Sequence, residues 1–66
     1  MDIRNLTEAD IGKWVAYDNG YARERGRIKS WNGHFVFVVY KCADEWSRFK
    51  EYTAAGTEPE HLEFIG

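Results

Sequence analysis

Apolar and polar residues alternate most regularly over residues 26–40, in the stretch GRIKSWNGHFVFVVY. A period of two is typical of a β-strand that has one buried face. Two such runs flank Asn32-Gly33, and both of these residues tolerate the positive φ angles of a tight type I′ turn. The pattern therefore predicts a β-hairpin with strands over residues 27–31 and 34–40.

A two-residue turn also fixes which residues of the hairpin lie opposite one another. The register pairs Trp31 with His34, Lys29 with Val36 and Arg27 with Val38. One face then carries four apolar residues, which we expect to form the core: Ile28, Phe35, Phe37 and Val39. The other face carries cationic and aromatic residues: Arg27, Lys29, Trp31, His34 and Tyr40.

Shorter patterns predict the other strands of a small sheet. The segment KWVAYD, residues 13–18, alternates in the same way and predicts the first strand. The polar segment DNGYARERG, which overlaps its end, predicts a loop. Residues 62–65 predict the last strand, and residues 52–55 suit a short fourth strand.

Two short helical turns are indicated by their capping residues. Thr7 is followed three positions later by Asp10, the spacing of a capping box. Thr57 and Glu60 have the same spacing around Pro59, which is tolerated in the first turn of a helix. The first turn precedes the first strand, and the second turn precedes the last strand.

The segment over residues 43–55 permits two interpretations. Ala43, Trp46, Phe49 and Tyr52 recur every three residues, which suits a short helix or a 3₁₀ helix. The alternative is a long loop whose aromatic side chains lie over the mouth of a barrel.

The order of these elements predicts a mainly β protein, a five-stranded SH3-like barrel with short helical turns that forms one domain over residues 1–66. A strongly bent small sheet must close or be covered, because open strand edges promote aggregation. An OB-like barrel ranks second because it needs longer strands and more residues.

The chain also resembles a group of very small, SH3-like proteins from bacteriophages and prophages. The resemblance spans nearly the whole chain, and its most specific parts are GRIKSWN, FVFVVYKC and YTAAGTEPEHLEFI. It implies a viral or mobile-element accessory protein that acts in the cytoplasm of a bacterial host. Proteins of this size and origin often bind and disable a host factor, including defence systems, so the resemblance implies such a role. The resemblance assigns no catalytic or ligand-binding residues.

Composition and charge favour a protein partner. Residues 1–42 hold seven basic and five acidic residues, a charge of +2, whereas residues 43–66 hold two basic and six acidic, a charge of −4. Nucleic-acid-binding domains are usually basic overall. A single cysteine forms no intrachain disulfide, so we expect a reduced thiol and a cytoplasmic location. The longest apolar run, residues 35–40, is too short to span a membrane, so no membrane partner is expected.

We expect no enzymatic activity and no metal or other cofactor. Cys42, His34 and His61 do not have the spacing of a zinc set. Cys42 and His34 lie at opposite ends of one predicted strand, so His34 is too far away to act as the base for a Cys42 nucleophile.

The candidate partner-binding site is a basic row that ends at aromatic residues: Arg23, Arg25, Arg27, Lys29, Trp31 and His34. Alternate residues of an extended chain point the same way, so the cations would line up toward Trp31. An acidic surface of a bacterial host protein suits this row. Nucleic acid or a nucleotide also suits it, either as a single strand stacked on Trp31 or as a ligand held by a homo-oligomeric sponge. The simplest alternative is an ordinary solvated face.

A second candidate is an aromatic groove formed by Trp14, Tyr17, Tyr21, Trp46 and Tyr52. These rings would form a recognition groove, or a dimer interface if adjacent rings are exposed. The simpler alternative is that most of them fill the core.

Overall fold

Five antiparallel strands form one sheet in the computed structural model, which describes residues 1–66. The strands are β1 (Trp14–Asp18), β2 (Arg23–Trp31), β3 (Val36–Val39), β4 (Ala55–Thr57) and β5 (Leu62–Phe64). Their order across the sheet is β4-β3-β2-β1-β5. The prediction of a mainly β protein is confirmed, and β2 begins four residues earlier than predicted.

The predicted closed barrel is wrong, because β4 and β5 are the two edges of an open sheet and do not pair. Each edge strand has only three residues. Closure requires a continuous ladder between the edges, and strands this short do not supply one.

The chain also contains four 3₁₀ helices, two before β1, one between β3 and β4 and one before β5: Ile3–Asn5, Glu8–Asp10, Trp46–Glu51 and Pro59–His61. The predicted cap of the second is confirmed, because Oδ2 of Asp10 accepts a hydrogen bond of 2.9 Å from the backbone N–H of Thr7. Within residues 43–55 the structure has the 3₁₀ segment Trp46–Glu51, which is kinked at Arg48. None of these helices has the length or the apolar character needed to cross a bilayer.

The hairpin between β2 and β3 exists, but its predicted register is wrong. Trp31 lies opposite Val36 rather than His34. The side-chain oxygen of Asn32 accepts hydrogen bonds of 2.8 Å from the backbone N–H groups of both His34 and Phe35. The Asn32 N–H also donates to the Phe35 carbonyl at 3.0 Å. Asn32 therefore closes a four-residue loop instead of a two-residue turn.

A β-bulge at Lys29 shifts the register again, because Ile28 pairs with Val38 while Ser30 pairs with Phe37. One extra residue in a strand reverses the alternation beyond it. Trp31 therefore returns to the same side of the sheet as Ile28 and packs against the core.

The faces predicted for the hairpin are consequently wrong. The predicted core residue Phe35 is 41% exposed, whereas Val36 and Val38 are fully buried. Ile28 is buried as predicted, and Phe37 is half-buried. Val39 is also buried, but it lies on the opposite side of the sheet from Val38.

The sheet is buried on both sides. The first core consists of Val15, Ile28, Val36, Val38 and Leu62. The second core consists of Val39, Cys42 and Phe49 and lies under the 3₁₀ helix Trp46–Glu51. Strands buried on both faces have continuous apolar runs instead of strict alternation. This accounts for the run FVFVV in and beside β3.

Candidate functional site: an acidic cleft and a basic face

The predicted basic row is one face of β2, and its cations have different roles. Arg23, Arg25 and Arg27 lie opposite residues of β1 and share their face with Trp14. The Nε of Arg27 donates to the Gly12 carbonyl at 2.7 Å. Its Nη1 donates to the Trp46 carbonyl at 2.8 Å. Arg27 therefore ties β2 to two other segments of the chain.

Lys29 has a similar role, since its Nζ donates to the Tyr52 carbonyl at 2.7 Å. Arg23 forms an ion pair of 2.7 Å with Glu63. Arg25 makes neither a hydrogen bond nor an ion pair, and its guanidinium lies 5.0 Å from the centre of the Trp14 ring.

The row does not continue to the two residues predicted at its end. Trp31 packs against the first core, and His34 is exposed in the loop that Asn32 closes. The bulge at Lys29 separates them from the arginines, because it turns Trp31 to the other side of the sheet.

The five residues of the predicted aromatic groove are also divided between locations. The ring centroids of Trp14 and Trp46 lie 4.7 Å apart, and Trp46 and Tyr52 both pack against the second core. Tyr17 is on the opposite side of the sheet, against the first core. Tyr21 is 98% exposed in the loop between β1 and β2. The five rings do not form one groove.

A cleft of about 490 Å³ opens on the face of the sheet that carries Tyr17. We call it the acidic cleft. Its lining comes from β1, β2 and β4, from the residues that flank β3, and from the segment before β5: Tyr17, Glu24, Phe35, Tyr40, Ala55, Gly56, Thr57, Glu58 and His61. The register explains part of the set, because Tyr17 lies directly opposite Glu24 on the neighbouring strand.

Aromatic rings form the walls of the acidic cleft. The Tyr17 ring lies 6.3 Å from the Tyr40 ring and 5.9 Å from the His61 ring, edge to face in both cases. The hydroxyl groups of Tyr40 and Thr57 are 2.8 Å apart. Because the Thr57 hydroxyl donates to the Ala55 carbonyl at 3.2 Å, the Tyr40 hydroxyl donates to Thr57.

This bond corrects the predicted role of Thr57 as a helix cap. Glu58 is the N-cap of the helix Pro59–His61 and makes no side-chain capping bond. The Thr57 hydroxyl is instead used to orient Tyr40 in the cleft.

The carboxylates of the cleft are largely uncompensated. Glu24 makes no ion pair or hydrogen bond, and Glu58 has only His61 beside it, at 3.5 Å. Burial raises the pKa of Tyr40, and the negative charge of Glu24 raises it further. A cationic group is the complement of this environment.

The same region holds the one group of side chains with metal-ligand spacing. Ligand atoms of Glu58, Glu60 and His61 lie within 4.8 Å of one another. Both glutamates are exposed, and exposed acidic groups often cluster in this way without binding an ion. Cys42 does not belong to this group of side chains, because its thiol is buried in the second core.

The sequence pattern predicted Tyr17 as a site residue, but it predicted none of the other residues of the cleft as site residues. They come from segments that are far apart in the chain, so no local motif joins them. One signal was present, because Glu24 interrupts the basic row and therefore had to point to the other face.

Comparison of the chain with protein-family models, curated proteins and solved structures found no match. The acidic cleft and the arginine-bearing face of β2 are therefore interpreted from their own geometry.

Proposed function

We propose that this chain is a small, non-enzymatic binding module that takes a cationic segment of a partner protein into its acidic cleft. The observation that carries the proposal is the combination of aromatic walls with uncompensated carboxylates in one cavity of about 490 Å³. Binding cavities are typically about 300–1,000 Å³ and combine apolar walls with a few polar groups.

Arginine suits this cleft better than lysine does. A planar guanidinium stacks on an aromatic face and donates two N–H hydrogen bonds to one carboxylate at the same time. Tyr17 and Tyr40 supply the rings, and Glu24 and Glu58 supply the carboxylates. Each cation–π contact contributes about 0.5–2 kcal/mol, depending on how far it is removed from water.

The resemblance to small phage and prophage proteins gives the proposal its biological setting. The partner is a bacterial host protein, including components of defence systems, and binding modulates or inhibits it. We also propose that the domain is related to SH3-like modules. The number of strands and the 3₁₀ helix Pro59–His61 directly before β5 support that relationship.

A pull-down from bacterial lysate, read by mass spectrometry, tests the proposal when cleft variants are compared with a matched control. Glu24→Gln and Glu58→Gln each remove one carboxylate from the cleft. Glu8→Gln removes an exposed carboxylate outside it, one that makes no side-chain bond. We expect the cleft variants to lose a partner that the wild type and Glu8→Gln retain. Equal capture by all four proteins contradicts the proposal.

A second candidate function, binding of single-stranded nucleic acid or a nucleotide, is favoured by the opposite face. Arg25, Arg27 and Lys29 have no carboxylate partner, and Trp14 lies among them. Fluorescence anisotropy with a labelled oligonucleotide over a range of salt concentrations tests it. Affinity that falls steeply with salt and with Arg25→Gln supports this function, whereas no binding at low salt excludes it.

A further inference from the structure

Glu24 and Arg25 are neighbours in β2 whose side chains project from opposite faces of the sheet. Glu24 lines the acidic cleft. Arg25 lies over Trp14 and lines a shallow hollow of about 230 Å³ with Trp14 and Ile65. We call this second surface, defined by Trp14, Arg25, Arg27 and Lys29, the basic face.

The charge of the basic face is not neutralised within the chain. Arg27 and Lys29 donate their hydrogen bonds to carbonyl oxygens, which carry no net charge. Arg25 has no hydrogen-bonding partner at all. The carboxylates of Glu24 and Glu58 cannot reach these cations, because the sheet lies between them.

Opposite charges that cannot meet within one chain can meet between two chains. Both surfaces also offer aromatic side chains, Trp14 on the basic face and the tyrosines of the acidic cleft. Arg25 is the most exposed cation of the basic face, and arginine is the residue type that suits the cleft best.

We propose that the acidic cleft of one copy of this protein binds the basic face of a second copy, with Arg25 packing on the rings of Tyr17 and Tyr40 beside Glu24. The inference rests on the proposed preference of the cleft for cations. The two surfaces differ, so the contact is heterologous and leads to rings or short chains instead of a symmetric dimer. The cationic segment of a protein partner competes for the same cleft. Self-association therefore reduces the amount of cleft that is free to bind the partner.

The association is weak and depends on salt. A standard stable interface buries about 800 Å² on each partner, which is nearly a fifth of the 4492 Å² surface of this small chain. Electrostatic attraction therefore contributes a large share of the contact. Its range falls from about 10 Å in 0.1 M salt to about 3 Å in 1 M salt.

Charge reversal on each surface gives a sharp test. Glu24→Arg makes the cleft cationic and leaves the basic face intact, whereas Arg25→Glu does the reverse. Neither side chain makes a hydrogen bond or an ion pair, and both are exposed, so we expect the fold to be retained. Circular dichroism checks this retention, and the milder pair Glu24→Gln and Arg25→Gln replaces the reversals if either one unfolds.

Sedimentation velocity over a concentration series at low salt measures the outcome. We expect the wild type to associate, and each charge reversal alone to associate at least about tenfold more weakly. We expect an equimolar mixture of the two reversals to associate again, because each protein then offers the complement of the other. With the milder pair, each variant alone weakens association. The mixture recovers pairwise association, because the intact cleft of Arg25→Gln meets the intact basic face of Glu24→Gln.

Three results overturn the inference: a wild type that stays monomeric at low salt, single variants that associate as the wild type does, or a mixture of reversals that does not recover. Binding of an arginine-containing peptide to Arg25→Glu, which keeps the cleft, separates this inference from the proposed function. Peptide binding without self-association leaves the proposed function standing. Absence of both removes the proposed function as well.

Discussion

Arg27 and Trp46 are joined by a hydrogen bond of 2.8 Å, from Nη1 of the guanidinium to the backbone carbonyl oxygen. The bond connects β2 to the 3₁₀ helix that covers the second core. The guanidinium also lies 4.5 Å from the centre of the Phe49 ring. Arg27 is therefore part of the packing of this domain, although it belongs to the row predicted to contact a partner.

Replacement of Arg27 by methionine keeps much of the packing volume and removes the donors to two carbonyl groups. Each lost bond from a charged donor costs about 1–3 kcal/mol. We expect Arg27→Met to lower the free energy of unfolding in urea by about 2–4 kcal/mol. Arg25→Met is the matched control on the same strand and face, and it should change this free energy by less than about 0.5 kcal/mol. Equal effects of Arg27→Met and Arg25→Met on the free energy of unfolding contradict the assignment of Arg27 to the packing of the domain.

Trp31 and His34 were predicted to share a contact surface, and the structure separates them. Trp31 packs against the first core, while His34 is exposed. Loss of a packed indole costs about 2–4 kcal/mol, so Trp31→Ala should lower the melting temperature strongly. His34→Ala should leave it nearly unchanged. A Trp31→Ala protein with wild-type stability is incompatible with the observed register.

Gly26 is required by the close approach of β2 to β3. A Cβ at this position would lie 2.5 Å from the carbonyl oxygen of Val39, a backbone atom that cannot turn away. We expect Gly26→Ala to reduce the free energy of unfolding by about 2–3 kcal/mol. Gly33→Ala is the control, because no atom lies within 4 Å of its added Cβ. Denaturant unfolding of both variants provides the measurement, and a stable Gly26→Ala protein speaks against this packing.

Asp10 links stability to pH. Its hydrogen bond with the Lys13 ammonium, and then that with the Thr7 N–H, hold its pKa below the ordinary value of 3.8. A group whose pKa is lowered by folding stabilises the folded state above its unfolded pKa and loses that effect as the pH falls through its folded pKa. We therefore expect Asp10→Asn to be less stable than the wild type at neutral pH.

The stability difference between wild type and Asp10→Asn should shrink as the pH is lowered below about 4. Thermal unfolding at a series of pH values measures it. Glu8→Gln serves as the control, since the Glu8 side chain makes no bond. A difference for Asp10→Asn that is independent of pH contradicts the assigned role of its charge.

Local chemistry was predictable from the sequence where one or two neighbouring residues decide the outcome. Thr7 and Asp10 form the predicted cap because both partners lie within one turn. The three-residue spacing of Trp46, Phe49 and Tyr52 suited a short helix or a 3₁₀ helix, with a long loop as the alternative, and the structure has a 3₁₀ segment there.

The register of the hairpin was not predictable in this way. The Asn-Gly pair suggested a two-residue turn, but the Asn32 side chain closes a wider loop. The bulge at Lys29 then changed which residues share a face, and nothing in the local pattern marks it. A prediction of the surface that assumes strict alternation fails once a strand contains a bulge.

The acidic cleft was beyond local patterns for a different reason. Glu24, Tyr40 and His61 come from separate parts of the chain, and the sheet order brings them together. Glu24 reaches the cleft because Tyr17 lies opposite it in the register of β1 and β2. Such a site becomes visible only when the pairing of strands is known.

The central claim, that the acidic cleft accepts a cationic segment, is tested most directly by a nuclear magnetic resonance titration. Isotope-labelled protein is titrated with a short peptide that contains two arginines, and with the same peptide carrying glutamines instead. We predict saturable shifts at Tyr17, Glu24, Tyr40 and His61 with the arginine peptide alone. The expected dissociation constant is about 1 mM or lower, a binding free energy of at least about 4 kcal/mol. Absence of shifts at these residues, or equal shifts with the glutamine peptide, contradicts the claim.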